Sequence, residues 1–299
     1  MCRHTAYLGP PASLRSLLID PPHSLYRQSW APRRQRHGTV NADGFGIGWY
    51  APPDPVPARY RRGSPIWGDE SLPDLARVVR AGAVLAAVRS ATAGTARGAG
   101  AAAPFAAGPW LFSHNGVAEG WRDWAEHALV RAQRASGGDY PQQAAPGSGD
   151  RPLAASGGGG PRQPAGSLLS SLEALVDSAF LWVLVLGWLR AGWAMGAALD
   201  AAVGAVAAAG GTGRFNFLLT DGHSVAATAC GDTLWYRQAD AAVTVASEPS
   251  DDLPGWTEVP DQHLLTATPA AVTVAPLAAG HPITTRTDTD VRTEGIVIA

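Results

Sequence analysis

Residues 179–189 read AFLWVLVLGWL, eleven positions without a charge, closed by Arg190. A surface helix alternates apolar and polar faces with a period near 3.6 residues, and a segment apolar all round has to be buried. At the helical rise eleven residues reach about 16 Å, roughly half of a hydrocarbon core. With Glu173 and Asp177 just upstream, the segment reads as a buried core helix and not as a membrane span. A chain of 299 residues, 46% hydrophobic, can build the core that such a helix needs, in one large domain or two small ones.

Strand signals lie on both sides of that helix. Cys2 to Leu8 alternates like a first strand, and Ser13 caps a helix to Ile19 that Pro21 and Pro22 stop. Phe45 to Tyr50 is aromatic and punctuated by glycine, as suits a strand closely approached by other backbone. Ser71 to Ala81 predicts a helix, Ala83 to Val88 a buried strand, and Leu111 to Ser113 a strand ending at a turn on Asn115-Gly116. Helices are expected over Leu168 to Leu189 and Ala194 to Ala208. Arg214 to Thr220 and Ser224 to Cys230 flank Asp221-Gly222, a hairpin signal. Further strands fit Thr233 to Arg237, Ala242 to Ala246 and Ala271 to Val274. Strands, then helices, then strands predict an α+β or layered sandwich and not a doubly wound sheet. Between residues 134 and 166, 14 of 33 positions are Gly or Pro, so this stretch is expected to be a flexible insertion.

Charge and cysteine usage narrow the function classes. A formal net charge of −2 leaves no footprint for nucleic acid or an anionic membrane. The basic stretch Arg33, Arg34, Arg36 and His37 reads as a solvated loop. Two cysteines, Cys2 and Cys230, form neither a disulfide framework nor a thiolate metal site, and suit a reducing cytoplasm. The opening Met-Cys-Arg-His-Thr has no apolar run behind it and is no secretory signal. No phosphate-loop, dinucleotide or H-E-x-x-H motif occurs, so neither metal nor organic cofactor is expected.

Chemistry centres on Cys2. A thiol needs a base or a depressed pKa to act as a nucleophile. Removal of Met1 would leave Cys2 with a free α-amine, whose ordinary pKa of about 7.7–8 suits a general base near neutrality. His4 shares a strand face with Cys2 and reads as structural. At Ser113-His114-Asn115-Gly116, the Asn amide and the Gly N–H can together make an oxyanion hole, though Asn-Gly alone is also a plain turn pair. Arg89, at a strand end in Arg89-Ser90-Ala91-Thr92, can clamp a carboxylate. Asp177, amid apolar sequence, wants an ammonium, a salt bridge or several donors.

These segments, with Asn41-Ala42-Asp43-Gly44-Phe45-Gly46-Ile47-Gly48-Trp49 and Phe112 through Gly116, resemble the class II glutamine amidotransferases. The resemblance implies the N-terminal-nucleophile fold, a four-layer α-β-β-α sandwich. It implies Cys2 as nucleophile, Asn115 and Gly116 as oxyanion donors, Arg89 and Thr92 on the glutamyl carboxylate, and Asp177 on its ammonium. Leu218 to Gly222, Ala246-Ser247-Glu248-Pro249 with Asp251-Asp252, and Trp256 through Asp261 are similar to the branch that serves ergothioneine biosynthesis. That implies hydrolysis of γ-glutamyl-hercynylcysteine S-oxide by a single domain, residues 2–299, covered nearly throughout except at 134–166. Many amidotransferases carry Asp-Thr-Glu where this chain has Asp177-Ser178-Ala179. Two other readings stand beside it: a glutaminase feeding ammonia to a partner synthase, against which the lack of a second domain counts, and a non-catalytic scaffold of the same fold. The expected partner is a small γ-glutamyl molecule, with no nucleic acid and no membrane. Tryptophans, eleven in all, and the Arg33–His37 stretch could receive a trimethylated imidazole and its carboxylate.

Overall fold

The computed structural model describes residues 2–91, 95–135, 171–239 and 241–278. The first half runs β1 (Arg3–Ser13), α1 (Leu14–Leu18), α2 (Leu25–Gln28), β2 (Phe45–Trp49), β3 (Ala58–Arg62), α3 (Leu72–Val78), β4 (Arg80–Val88), β5 (Phe105–Ala107), β6 (Trp110–Glu119) and α4 (Trp121–Ala135). The second half runs α5 (Asp177–Arg190), α6 (Met195–Ala208), β7 (Thr212–Thr220), β8 (Val225–Ala229), β9 (Trp235–Ala239), β10 (Ala242–Ala246), β11 (Thr257–Glu258), β12 (His263–Ala267) and β13 (Val272–Pro276).

The strands form two antiparallel sheets. One has seven strands in the order β11-β9-β10-β1-β4-β2-β3, the other six in the order β13-β12-β8-β7-β6-β5. Their facing sides close over Ala6, Leu8, Leu85, Leu111, Leu218 and Val245. On the outside of the first sheet, Leu14, Leu18 and Leu72 cover Phe45, Ile47 and Val84. On the outside of the second, Trp124, Phe180, Trp182 and Leu199 cover Phe112 and Phe217. The result is the expected four-layer α-β-β-α sandwich. The halves of the chain interleave: β1 pairs β10 and β6 pairs β7, so both sheets draw on sequence either side of residues 136–170.

Local chemistry explains most elements. Ser13 caps α1, its side chain accepting from the Ser16 N–H at 3.1 Å. The β7–β8 turn is held by Asp221, whose carboxylate accepts from the His223 and Ser224 N–H groups at 2.9 and 2.8 Å, while Gly222 supplies φ 87°. Helix α5 is the apolar segment: Ala179 to Leu186, Trp188 and Leu189 are all buried between the second sheet and helices α4 and α6. Among the described residues no helix is long and apolar enough to cross a membrane. The helix begins at Asp177, later than the apolar pattern implied, because Val176 is extended. The helix expected to reach Ala81 stops at Val78, where Arg80 to Val88 joins the first sheet as β4. Of the expected 134–166 insertion, Arg134 and Ala135 are the last turn of α4; the remainder lies outside the described residues.

Strand β2 shows how glycine sets the sheet spacing. Phe45 and Ile47 point out to the helices, and Gly46 and Gly48 point in. A Cβ on Gly46 would collide with the Ala103 carbonyl, and one on Gly48 would come within 2.6 Å of Leu111 Cδ1. Gly46→Val therefore forces backbone apart and is expected to destabilise the fold by about 3 kcal/mol. Chemical denaturation checks this against Gly68→Ala, whose added Cβ meets only Pro65 Cγ at 4.0 Å and should be close to neutral.

Candidate active site

The first sheet brings three sequence segments to one end of β1. Arg3 pairs with Val88 on β4, and Val88 pairs with Phe45 on β2. Cys2 and Arg89 are the residues next beyond the pair of Arg3 and Val88 on the two strands. The Arg89 N–H donates to the Gly44 carbonyl at 2.8 Å, and Asp43 N–H donates back to Arg89 O at 2.8 Å. Cys2 is a free, half-buried cysteine. Arg89 is buried and has no carboxylate partner among the described residues; its guanidinium donates to Asp43 O, Thr95 Oγ1 and Ala96 O at 3.4, 3.2 and 3.0 Å. Thr92 lies outside the described residues.

The facing sheet supplies Asn115 and Gly116, and here the expected turn is wrong. Both residues lie inside β6, paired with Asn216 and Phe215 of β7. Glycine is required at 116 by close approach and not by a turn, since a Cβ would collide with the Arg214 carbonyl and reach within 2.7 Å of His114 Nε2. Strand alternation then sorts the motif. Ser113 and Asn115 face the first sheet, and His114 faces the helices.

Ser247, just beyond β10, joins the two sheets. Its Oγ accepts from the His4 N–H at 3.1 Å and from Asn115 Nδ2 at 3.4 Å. This ties the Asn115 amide to β1 at His4, two residues along the chain from Cys2. His4 is fully buried, its Nδ1 3.1 Å from Ser113 Oγ, its pKa pushed down to about 3 chiefly by burial. Cys230 is buried in turn, and desolvation pushes its thiol up to about 11, which leaves it a poor nucleophile.

Asp177 opens α5 beside β6. Its carboxylate accepts from the Ala118 N–H at 3.0 Å and the Ser178 N–H at 2.8 Å, and no cation among the described residues pairs with it. His114 braces this corner. Its Nε2 lies 2.8 Å from the Arg214 carbonyl, which only accepts, so Nε2 carries the proton. Burial lowers the His114 pKa and keeps the ring neutral, so Nδ1 accepts from Ser178 Oγ at 3.0 Å. Ser178, His114 and Ser247 are site residues that sequence reading assigned no role. For His114 the available signal was alternation along β6; Ser178 and Ser247 lie on other elements and carried none.

The expected solvated loop Arg33–His37 is pinned at the same end. Glu248 accepts from the Arg33 and Arg34 N–H groups at 2.9 and 2.6 Å, and Gln35 Oε1 accepts from Arg3 Nε at 3.1 Å and Asn41 Nδ2 at 3.0 Å. A cavity of about 340 Å³ opens on the outer side of the first sheet, lined by Thr5, Tyr7, Leu18 and Thr244 among others. Among the described residues no cluster of His, Cys, Asp and Glu could hold a metal ion.

No protein-family model matches the chain. It is 37% identical over 278 residues to the gamma-glutamyl-hercynylcysteine sulfoxide hydrolase of Mycolicibacterium smegmatis, covering 93% of this chain and 100% of that one. Its identity to the protein of the same name from Mycobacterium tuberculosis CDC 1551 is 36%, over 93% and 97% of the two chains. A glutamine aminotransferase class-II domain protein from Silicibacter pomeroyi shares the fold, at TM-score 0.57 and 23% identity, over 93% of this chain and 100% of that one. So does the glutamine phosphoribosylpyrophosphate amidotransferase of B. subtilis, at TM-score 0.53 and 14% identity, over 94% of this chain and 50% of that one. With 36–37% identity over 93% of its length to relatives covered almost end to end, the chain belongs to the family of gamma-glutamyl-hercynylcysteine sulfoxide hydrolases.

Proposed function

We propose that the protein hydrolyses the γ-glutamyl amide of γ-glutamyl-hercynylcysteine S-oxide, releasing glutamate and the free amine, by way of a thioester on Cys2. The observation that carries this reading is the Ser247 bridge, which sets the Asn115 amide beside the start of β1. In the proposed reaction the Cys2 thiol passes its proton to its own α-amine, and the thiolate attacks the γ-carbonyl carbon. Asn115 Nδ2 and the Gly116 N–H receive the oxyanion. The C–N bond breaks as the Cys2 ammonium returns its proton to the leaving amine, and water then cleaves the thioester by the reverse path. Arg89 and Thr92 take the α-carboxylate, and Asp177 takes the α-ammonium, its carboxylate oriented by two backbone N–H groups. The enzyme is a single catalytic domain interrupted near 134–166, acting on a small molecule in the cytoplasm.

Glutamate release from the hercynyl conjugate, from γ-glutamylcysteine and from glutamine, measured side by side, tests this reading. A kcat/KM on the conjugate well above that on glutamine supports it. Preference for glutamine, with stoichiometric ammonia, would move the protein to the ammonia-supplying class. Arg89→Ala is expected to raise KM for any γ-glutamyl substrate by roughly tenfold or more, the worth of a charge-assisted contact. Unchanged saturation in steady-state kinetics would remove Arg89 from the glutamyl site.

A further inference from the structure

Arg3 follows the proposed nucleophile and is fully buried. Gln35 Oε1 holds its Nε at 3.1 Å, while Nη1 and Nη2 have no hydrogen-bond partner among the described residues. The two carboxylates whose charge acts most strongly on it are Asp232 and Glu248. Glu248 is committed elsewhere, both its oxygens binding the Arg33 and Arg34 N–H groups, while Asp232 binds Arg214 Nε at 3.1 Å through Oδ2 and keeps Oδ1 buried without a hydrogen bond to Arg3. Arg36, exposed on the same loop, is near enough for its charge to act on Arg3, as is Cys2. A buried cation beside a second cation, hydrogen-bonded to neither neighbouring carboxylate, is an arrangement kept at a cost. Its two free nitrogens form the planar fork that matches a carboxylate bidentately.

We propose that the outer nitrogens of Arg3, with Arg36 behind them, bind a carboxylate on the leaving-amine half of the substrate, making the site selective for γ-glutamyl amides of amino acids. The inference rests on the hydrolase reading and deepens it. In that reading the leaving nitrogen belongs to a cysteine unit, so its carboxylate lies two bonds from the nitrogen that departs. Glutamine, which releases ammonia, has no such group. Gln35 is the aiming device: it fixes Nε, and with it the plane of the guanidinium, while its Nε2 donates to His37 O at 2.9 Å and ties that aim to the loop.

The test uses the full chain processed to begin at Cys2, with γ-glutamylcysteine and γ-glutamylcysteamine, which differ only by that carboxylate. The wild type is expected to favour the carboxylated amide in kcat/KM by about tenfold to a hundredfold. Arg3→Gln should bring the ratio close to one, Arg3→Lys should restore part of it, and Arg36→Ala should lower it by a smaller factor. Should Arg3→Gln fail to fold, the wild-type ratio and Arg36→Ala on the exposed loop decide. A wild-type ratio near one overturns the proposal and leaves the hydrolase reading intact. So does an equal loss on both substrates in Arg3→Gln, which would mark Arg3 as structural and bridged by water. No turnover of either amide by protein that cleaves the hercynyl conjugate overturns the proposal alone, and no turnover of the conjugate as well sinks both readings.

Discussion

Cys2→Ala is expected to lower turnover of every γ-glutamyl substrate by at least about 10⁴-fold, while the melting temperature stays within a few degrees of the parent. Cys2 precedes the first paired residue of β1 and is half-buried, so removing its sulfur takes little from the core. What it takes from the chemistry is the atom that forms the acyl intermediate. The same account assigns the base to the α-amine of that residue. A chain with any residue left ahead of Cys2 should be as inactive as the Ala variant, although its thiol is present. Parallel assays of processed protein, an N-terminally extended form and Cys2→Ala separate the two roles. Full activity in the extended form would show that the proton goes elsewhere, with His4 a poor candidate because burial holds its ring neutral to about pH 3.

Asn115→Ala is expected to lower kcat by about 10²–10³ with little change in KM, because the lost donor matters only once charge develops on the carbonyl oxygen. The position is fully buried inside β6, opposite Asn216, so the carboxamide cannot be replaced by water without rearrangement. Ser247 holds Nδ2 by a single long hydrogen bond of 3.4 Å, which a stronger acceptor such as an oxyanion can displace. Asn115→Asp keeps the shape and puts a carboxylate where negative charge develops, so its loss should exceed that of Ala. Single-turnover rates, with thermal melts as a folding control, distinguish these outcomes. A kcat within tenfold of the parent in Asn115→Ala would remove the residue from the oxyanion site.

The architecture was legible where periodicity and composition agree. An apolar run with no polar face can only be α5, alternating glycines can only let two layers approach at β2, and Asp221-Gly222 can only turn a hairpin between β7 and β8. Where a strand is polar the pattern disappears. Residues 58–62, Ala-Arg-Tyr-Arg-Arg, form edge strand β3 because they pair with β2, although nothing in their own sequence is apolar enough to announce it. Asn115-Gly116 was misread for the opposite reason. A local turn preference of the pair is overridden by nine residues of register with β7. The site followed the same division. Cys2, Arg89, Asn115 and Asp177 are proposed for chemistry that their side chains advertise. Ser247 and Ser178 act only by where the sheets and α5 put them, and sequence spacing holds no record of a contact across 132 positions such as Asn115 to Ser247.

The central claim is a γ-glutamyl thioester on a processed Cys2. Rapid acid quench of the enzyme with excess substrate, followed by mass mapping of the N-terminal peptide, tests it directly. The account predicts that the peptide begins at Cys2 and gains one γ-glutamyl group at its sulfur, and that Cys2→Ala gains none. Glutamate release at full rate by protein that retains Met1, or an adduct on another residue, would contradict it.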